Sequence, residues 1–407
     1  MATAPDLVPD HVPPELVFQG DFEDFILSSP DPYRRLGQLH EGPDIFWVNR
    51  WSKGMGSGYA GWLVTREAIQ REVLTDTDKF VSGGALLSII GIDQPLIPLE
   101  LNPPHQQRYR KVLEPFFAPK AIDALDTMIR NCCEQLIDAF EGQNGCEFIH
   151  EFADKFPTQI FLDLMGMPRE RLYQFLDWER DMLRGDTPEK VVTAMTHIAE
   201  YLTRFLEEQE ENPGSALMQG IVNARLDDGH ALTPVEKLSV AYILYIGGLD
   251  TVYSTIGWIF WYLAQDQQLQ EKLRENPAMI PQASEELLRA FSAASTGRKV
   301  REDMVFHGVP MKAGDSVTAL LSLAARDPQA YDDPHRIDIA RKPRHIAFGT
   351  GPHTCLGIRL AKREVRIVLE CFLSRFRNIR LKPGESHRYH VGSVFGIDYL
   401  PLEWDPA

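Results

Sequence analysis

Cys355 is the residue with the most chemistry gathered around it. It stands in HIAFGTGPHTCLGIRLAKREV, inside a glycine-rich loop that runs straight into an amphipathic helix. The start of a helix offers unpaired N–H groups and a partial positive charge, which favour a thiolate over a thiol. Gly349, Gly351 and Gly357 let the backbone close around the sulfur. A sulfur held anionic in this way suits the axial position of a haem iron, where it pushes electron density toward the metal. The same residues also suit a buried structural cysteine. A phosphate-binding loop is excluded, because no Gly-Lys-Ser/Thr follows the glycines.

Two further constellations carry chemistry. Glu286 and Arg289, in EELLRAF, are three residues apart and share one helix face. Taken alone they read as an ordinary surface ion pair. Gly247-Gly248-Leu249-Asp250-Thr251 sets an acid and an alcohol behind two glycines in an apolar helix. A threonine there can bond a carbonyl three or four residues back, and glycine tolerates local distortion. Such a groove admits small molecules, with the hydroxyl organising water and the carboxylate relaying protons. A simple helix kink is the plain alternative.

Helices must position most of these groups. From His105 onward apolar residues recur at helical spacing, as in AIDALDTMIRNCCEQLIDAF and LAKREVRIVLECFLSRF. TPVEKLSVAYILYIGG opens with Thr233, Pro234 and Glu236, a capping box with proline in the first turn. The run Leu238 to Ala264 is apolar enough to suggest a membrane span, but Asp250 near its middle argues for a buried central helix. Strand-like runs are DIFWVNR, GYAGWLVT, DMVFHGVPMKAGDSVTALL and HVGSVFGIDYLPLEW. The expected fold is mainly α with minor antiparallel β in a single domain over 1–407, residues 1–30 forming an extended proline-rich arm. Gly83 to Pro104 lacks a period and reads as a loop over a cavity, or as a packing loop.

Composition excludes several functions. The net charge of −16 on 407 residues opposes nucleic-acid and anionic-membrane binding. Five cysteines without a CxxC pair argue against a disulfide scaffold, a four-thiolate zinc site or an iron–sulfur cluster. No basic segment followed by an apolar run opens the chain, so a cytoplasmic protein is expected.

Phe348-Gly349-Thr350-Gly351-Pro352-His353-Thr354-Cys355-Leu356-Gly357 resembles the haem-binding loop FxxGxxxCxG of the cytochrome P450 family at every fixed position. Glu286-Leu287-Leu288-Arg289 resembles that family's ExxR pair, and Gly247 to Thr251 its oxygen-activation motif. The likeness covers the chain and is strongest to the bacterial camphor hydroxylase group. It implies a P450 fold, a triangular helical prism with small sheets. It also implies haem b, with Cys355 as the iron ligand and Phe348 and Gly357 beside it. Arg110, Arg298 and His353 become candidate propionate partners, and the buried Glu286–Arg289 pair a brace for the cysteine loop. Thr251 becomes the hydrogen-bond donor at the oxygen site and Asp250 the proton relay, with Arg184 or Arg180 as its partner. Gln106 stands where many bacterial members carry histidine. Thr296 stands where the camphor hydroxylase has an acid.

The implied reaction is hydroxylation of a small hydrophobic substrate with O2. Candidate walls are Leu86, Leu87, Leu96 and Ile97 from the loop, Ile243, Ile246 and Gly247 from the central helix, then Ala293, Ala294, Ser393, Val394 and Phe395. The camphor hydroxylase holds its ketone with a tyrosine, whereas this loop has none and offers Gln94. A terpenoid or norisoprenoid ketone, ionone-like, is therefore expected in place of camphor. With no flavin module in the chain, electrons are expected from a [2Fe–2S] ferredoxin with its ferredoxin reductase. Arg71, Arg108, Arg110, Lys111, Arg359, Lys362, Arg363 and Arg366 are the expected basic docking patch. A peroxygenase, an isomerase or dehydratase, and a non-enzymatic haem sensor are the alternatives.

Overall fold

Thr233 accepts a hydrogen bond from the Glu236 amide, and the Glu236 carboxylate takes one from the Thr233 amide. With Pro234 in the first turn, this starts a helix of 30 residues, Pro234–Leu263. The computed structural model describes residues 8–49, 51, 60–140, 142–212 and 214–406. By length and composition this central helix could cross a membrane. It is instead packed between the helices Lys155–Met165, Leu172–Arg184, Pro188–Glu211 and Ile358–Arg375.

The central helix feeds two apolar cores. Its first half, from Leu238 to Leu249, joins Phe175, Met195, Leu202 and Leu217. Its second half, from Tyr253 onward, joins Phe148, Phe152, Phe372 and Trp404, whose rings stack or meet edge to face. Asp250 and Thr251 fall where one core gives way to the other.

The expected hairpin forms between Ile45–Val48 and Gly61–Val64, pairing Ile45 with Val64. It is one edge of a five-stranded sheet, continued by Ser316–Leu320, Ser295–Val300 and Phe80–Val81. Only the contact of Gly61–Val64 with Ser316–Leu320 is parallel. Side chains alternate along a strand, so Thr296 and Arg298 point to one face. The C-terminal strand Pro401–Pro406 lies between Gly145–Glu147 and Phe376–Leu381.

The N-terminal arm differs from expectation. Residues 1–7 lie outside the described residues. Beyond them the arm is only partly extended, because Asp21 caps a short helix, Phe22–Leu27. Phe22 and Ile26 are buried, and Phe22 stacks on Trp51. Apolar residues four apart outweighed the prolines, which stop at Pro14 before the helix and resume at Pro30 after it.

Candidate active site

The Cys355 loop is fixed by its own backbone. The Cys355 amide donates to the Phe348 carbonyl at 2.9 Å, and the Thr354 amide to Gly351. Gly351 has φ +74°, and a Cβ there would lie 2.7 Å from the Leu74 carbonyl oxygen, so only glycine fits. From outside the loop, Gln106 Nε2 and Arg110 Nη1 both donate to the Pro352 carbonyl, at 2.8 and 3.3 Å. The Cys355 side chain is bare toward a cavity although it lies deep in the protein. Burial pushes its thiol up. The N–H groups of Gly357 and Ile358, with Arg110, act in the opposite direction. The helix start thus helps the thiolate as expected, but does not outweigh burial alone.

Behind the loop lies the Glu286–Arg289 pair, and it is no surface pair. Both side chains are fully buried. Arg289 Nε and Nη2 meet the two carboxylate oxygens of Glu286 at 2.8 Å each, and Nη1 reaches the carbonyls of Ala325 and Pro334. Glu286 Oε1 also accepts from Arg341 Nε and the Asp338 amide, both at 3.1 Å. One carboxylate therefore ties its helix to the segment that leads into the cysteine loop. Arg341 was not found from sequence, because 55 residues separate it from Glu286.

The cavity holds about 1750 Å3 of open space, its mouth included. Cys355 and Thr251 both line it. So do Phe348, Gly357, Arg110, His353, Thr296 and Arg298. Arg298 is buried, its guanidinium reaches only the Gly297 carbonyl and the Thr296 hydroxyl, and it has no carboxylate partner among the described residues. Burial pushes it down to about 10. His353 stands beside both Arg298 and Arg110, hydrogen-bonds Ser82 at 3.0 Å, and is pushed down to about 4 by burial and then by these cations. A buried guanidinium without a counter-charge is costly, so this edge of the cavity is built for an anion. The two carboxylates of haem b would meet that need, and the Cys355 sulfur on the same cavity would hold its iron. The residues present fit the group.

The two central-helix glycines act differently. A Cβ on Gly248 would lie 2.3 Å from the Phe161 ring, so this glycine permits close helix packing. A Cβ on Gly247 would meet nothing within 4 Å, and Gly247 leaves room on the cavity side. Thr251 Oγ1 points back to the Gly247 carbonyl at 3.4 Å, as the sequence suggests. Asp250 does not line the cavity. It is 1% exposed and bound to Arg184 Nη1 at 2.9 Å, whereas Arg180 pairs with Asp177. Burial raises Asp250, but Arg184 and His390 more than offset it and hold the carboxyl below its ordinary range.

The expected substrate wall is only partly on the cavity. Ile243, Gly247, Ala293 and Ala294 line it. Leu87, Leu96 and Ile97 instead enter the apolar core, and Leu86 and Ile246 pack against that core. Gln94 lies off the cavity too, and the loop's contributions are Pro98 and Leu99. Ser393, Val394 and Phe395 are spent on backbone pairing with Ser295, Ala294 and Ala293. Phe161, Leu164 and Leu244, unmarked in the sequence, complete the apolar side.

The expected basic patch is largely cancelled. Arg363 binds Asp123 and Asp126, and Arg366 binds Asp126 and Glu370. Lys362 binds Glu285, Arg71 binds Glu67, Arg108 binds Asp227 and Asp228, and Arg110 binds Glu114. Lys111 and Arg359 have no carboxylate partner among the described residues. These cations hold helices together before they can attract a partner.

A family model described as Cytochrome P450 matches residues 153–388. The chain is 35% identical to the probable cytochrome P450 127A1 of Sinorhizobium fredii, across 98% of this chain and 97% of that protein. It is 29% identical to the polyketide biosynthesis cytochrome P450 PksS of Bacillus subtilis, across 91% and 95%. Among solved structures it resembles CYP101J2, with TM-score 0.86, 28% identity and coverage of 98% and 99%. It resembles CYP101C1 similarly, with TM-score 0.87, 26% identity and coverage of 98% and 100%.

Proposed function

Since the chain belongs to the cytochrome P450 family, a monooxygenase family that uses haem b, we propose that it hydroxylates a small hydrophobic substrate with O2 and electrons from a [2Fe–2S] ferredoxin and its reductase. The carrying observation is one cavity that presents the Cys355 sulfur, the Thr251 hydroxyl and Arg298, which has no carboxylate partner among the described residues. Cys355 is the iron ligand in this reading, and Arg298, His353 and Arg110 hold the propionates. The haem supplies dioxygen activation when bound. Thr251 donates a hydrogen bond at the oxygen site, and Asp250 relays protons toward it from the Arg184 side. Glu286 and Arg289 keep the cysteine loop in place.

The substrate is read as a terpenoid or norisoprenoid ketone of ionone type. Leu99, Phe161, Leu164, Ile243, Leu244 and Val252 give the cavity an apolar side suited to such a body. Gln94 is not its carbonyl contact, given its position away from the cavity. Ser292 is a better candidate, with a buried hydroxyl on the cavity wall that has no partner among the described residues. The whole chain is read as one domain working in the cytoplasm.

Reduction followed by carbon monoxide tests the thiolate. A strongly red-shifted Soret band is expected, and Cys355→Ser should abolish it. Retention of that band in the variant would remove Cys355 from its role. Titration with β-ionone should then shift the ferric spin state, and an unchanged spectrum at saturation would reject this substrate class.

A further inference from the structure

Glu179 lies on the apolar stripe of the helix Leu172–Arg184, in line with Leu172, Phe175 and Met182. It is 1% exposed, and its Oε1 has no hydrogen-bond partner. Asp250, from the central helix that packs against this one, is equally buried, and Asp250 Oδ2 also lacks a partner among the described residues. One guanidinium serves both. Arg184 donates to Asp250 Oδ1 at 2.9 Å, to the Tyr253 hydroxyl at 3.0 Å, and meets His390 Nε2 at 3.1 Å. His390 Nδ1 in turn meets the half-exposed Asp398 at 2.7 Å. Tyr245 and Tyr253 are the other titratable groups beside Glu179, and the Tyr245 hydroxyl is committed to the Phe175 carbonyl at 2.6 Å.

Two buried carboxyls facing one partly exposed cation leave a net negative charge in the interior when both are ionised. Arg184 touches Asp250, so the proton belongs on Glu179. The electrostatics agree. Burial and the charge of Asp250 push Glu179 well above its ordinary value, while Asp250 is held below its own.

We propose that Glu179 is a neutral acid held in reserve behind Asp250, and that it is the source of each proton that Asp250 passes toward the oxygen site. The transfer turns the Glu179 acid and the Asp250 carboxylate into the Glu179 carboxylate and the Asp250 acid. Asp250 then gives that proton to the oxygen site and returns to the carboxylate, and a proton from solvent restores Glu179. The role rests on the monooxygenase reading above. Glu179 acts through Asp250 and does not line the cavity, so it is a positioning residue for the proton.

Its own test needs no turnover. The infrared spectrum of the holoprotein at pH 7 should contain a carbonyl stretch of a neutral carboxylic acid that moves in D2O. Glu179→Gln should delete it, and Glu179→Asp should keep it at a shifted position. Glu364 is the necessary control. It is buried, and burial pushes it well above its ordinary value, so it gives a second such band that both variants retain. Absence of any Glu179-dependent band overturns the proposal and leaves the monooxygenase reading intact, which the carbon monoxide spectrum tests separately. The kinetic arm measures oxygen consumption with a [2Fe–2S] ferredoxin, its reductase and β-ionone. Glu179→Gln should slow it roughly tenfold, a fraction of what a fully placed general acid supplies, with a larger solvent isotope effect. Glu179→Asp should recover most of the rate. Parent rate and isotope effect in Glu179→Gln, with the reduced carbon monoxide band intact, would overturn the relay.

Discussion

The two faces of the cavity treat buried charge in opposite ways. Behind the cysteine, each polar atom of the Glu286 and Arg289 side chains is hydrogen-bonded, and both residues are fully buried. On the side of the central helix, Asp250 Oδ2, Glu179 Oε1 and Ser254 Oγ are buried without partners among the described residues. A satisfied network is rigid and has one low-energy arrangement. Unsatisfied groups cost stability, so each calls for an explanation. In the proposed reading, the first side would hold a ligand still and the second would keep acceptors free for protons.

Matched substitutions would break this contrast most directly. Glu286→Gln leaves Arg289 and Arg341 facing a neutral amide, and should cost about 3–5 kcal/mol of unfolding free energy. Asp250→Asn should cost about 1 kcal/mol, because Arg184 is partly exposed and keeps Tyr253 and His390. Urea unfolding of the two holoproteins measures both. Equal losses would mean that the two faces do not differ.

Function should show the reverse order. Thr251→Ala removes a hydroxyl that has only a 3.4 Å bond to lose, so stability should hardly change. Product formed per electron pair should fall on the order of tenfold, with the balance released as peroxide. Unchanged coupling would remove Thr251 from the oxygen site. A separate effect is expected at the anion edge. Arg298→Gln should weaken haem retention by about 1–3 kcal/mol, read as faster haem transfer to an apoprotein acceptor. An unchanged rate would assign the propionates to Arg110 and His353 alone.

The same contrast decides what the sequence reveals. The cysteine loop, the Glu286–Arg289 pair and the Asp250–Thr251 step are each local, so spacing and residue type suffice to find them. The capping box at Thr233 and the hairpin at Ile45 are legible for the same reason. The substrate wall is not local. Leu87, Leu96 and Leu99 look alike in sequence, yet two enter the core and the third reaches the cavity. No period in that loop says which. Some of the basic residues misled because their acids lie far away in sequence, as Asp123 does from Arg363, although Arg71 and Arg110 pair with acids only four residues off. Arg298 was visible as a charge, but its isolation required a structure. Glu179 did leave a signal. It is a carboxylate at an apolar position of an otherwise regular stripe, which local physics marks as either paired or protonated.

Acid should separate the two faces with opposite slopes. His335 adjoins Pro334, whose carbonyl receives Arg289 and Arg326. Burial lowers His335 to about 4, helped by Arg326 and Arg34 and opposed by Asp31 and Asp333. Its unfolded value is about 6.5, so the folded protein binds fewer protons between these values. Stability therefore falls as pH drops from 6.5 toward 4. The side chain is only half-buried, so solvent screening limits the loss to about 1 kcal/mol. Glu179 behaves inversely. Its folded value is raised, the folded state binds the extra proton, and its contribution grows as pH falls toward the ordinary carboxylate range. Unfolding free energies between pH 7 and pH 4 should show a parent curve that drops at acid more than His335→Gln does. Glu179→Gln should drop more than the parent from neutral pH downward, because it lacks the opposing gain. Parallel curves for all three proteins would show that neither group changes its proton affinity on folding, and the electrostatic difference between the two faces would be lost.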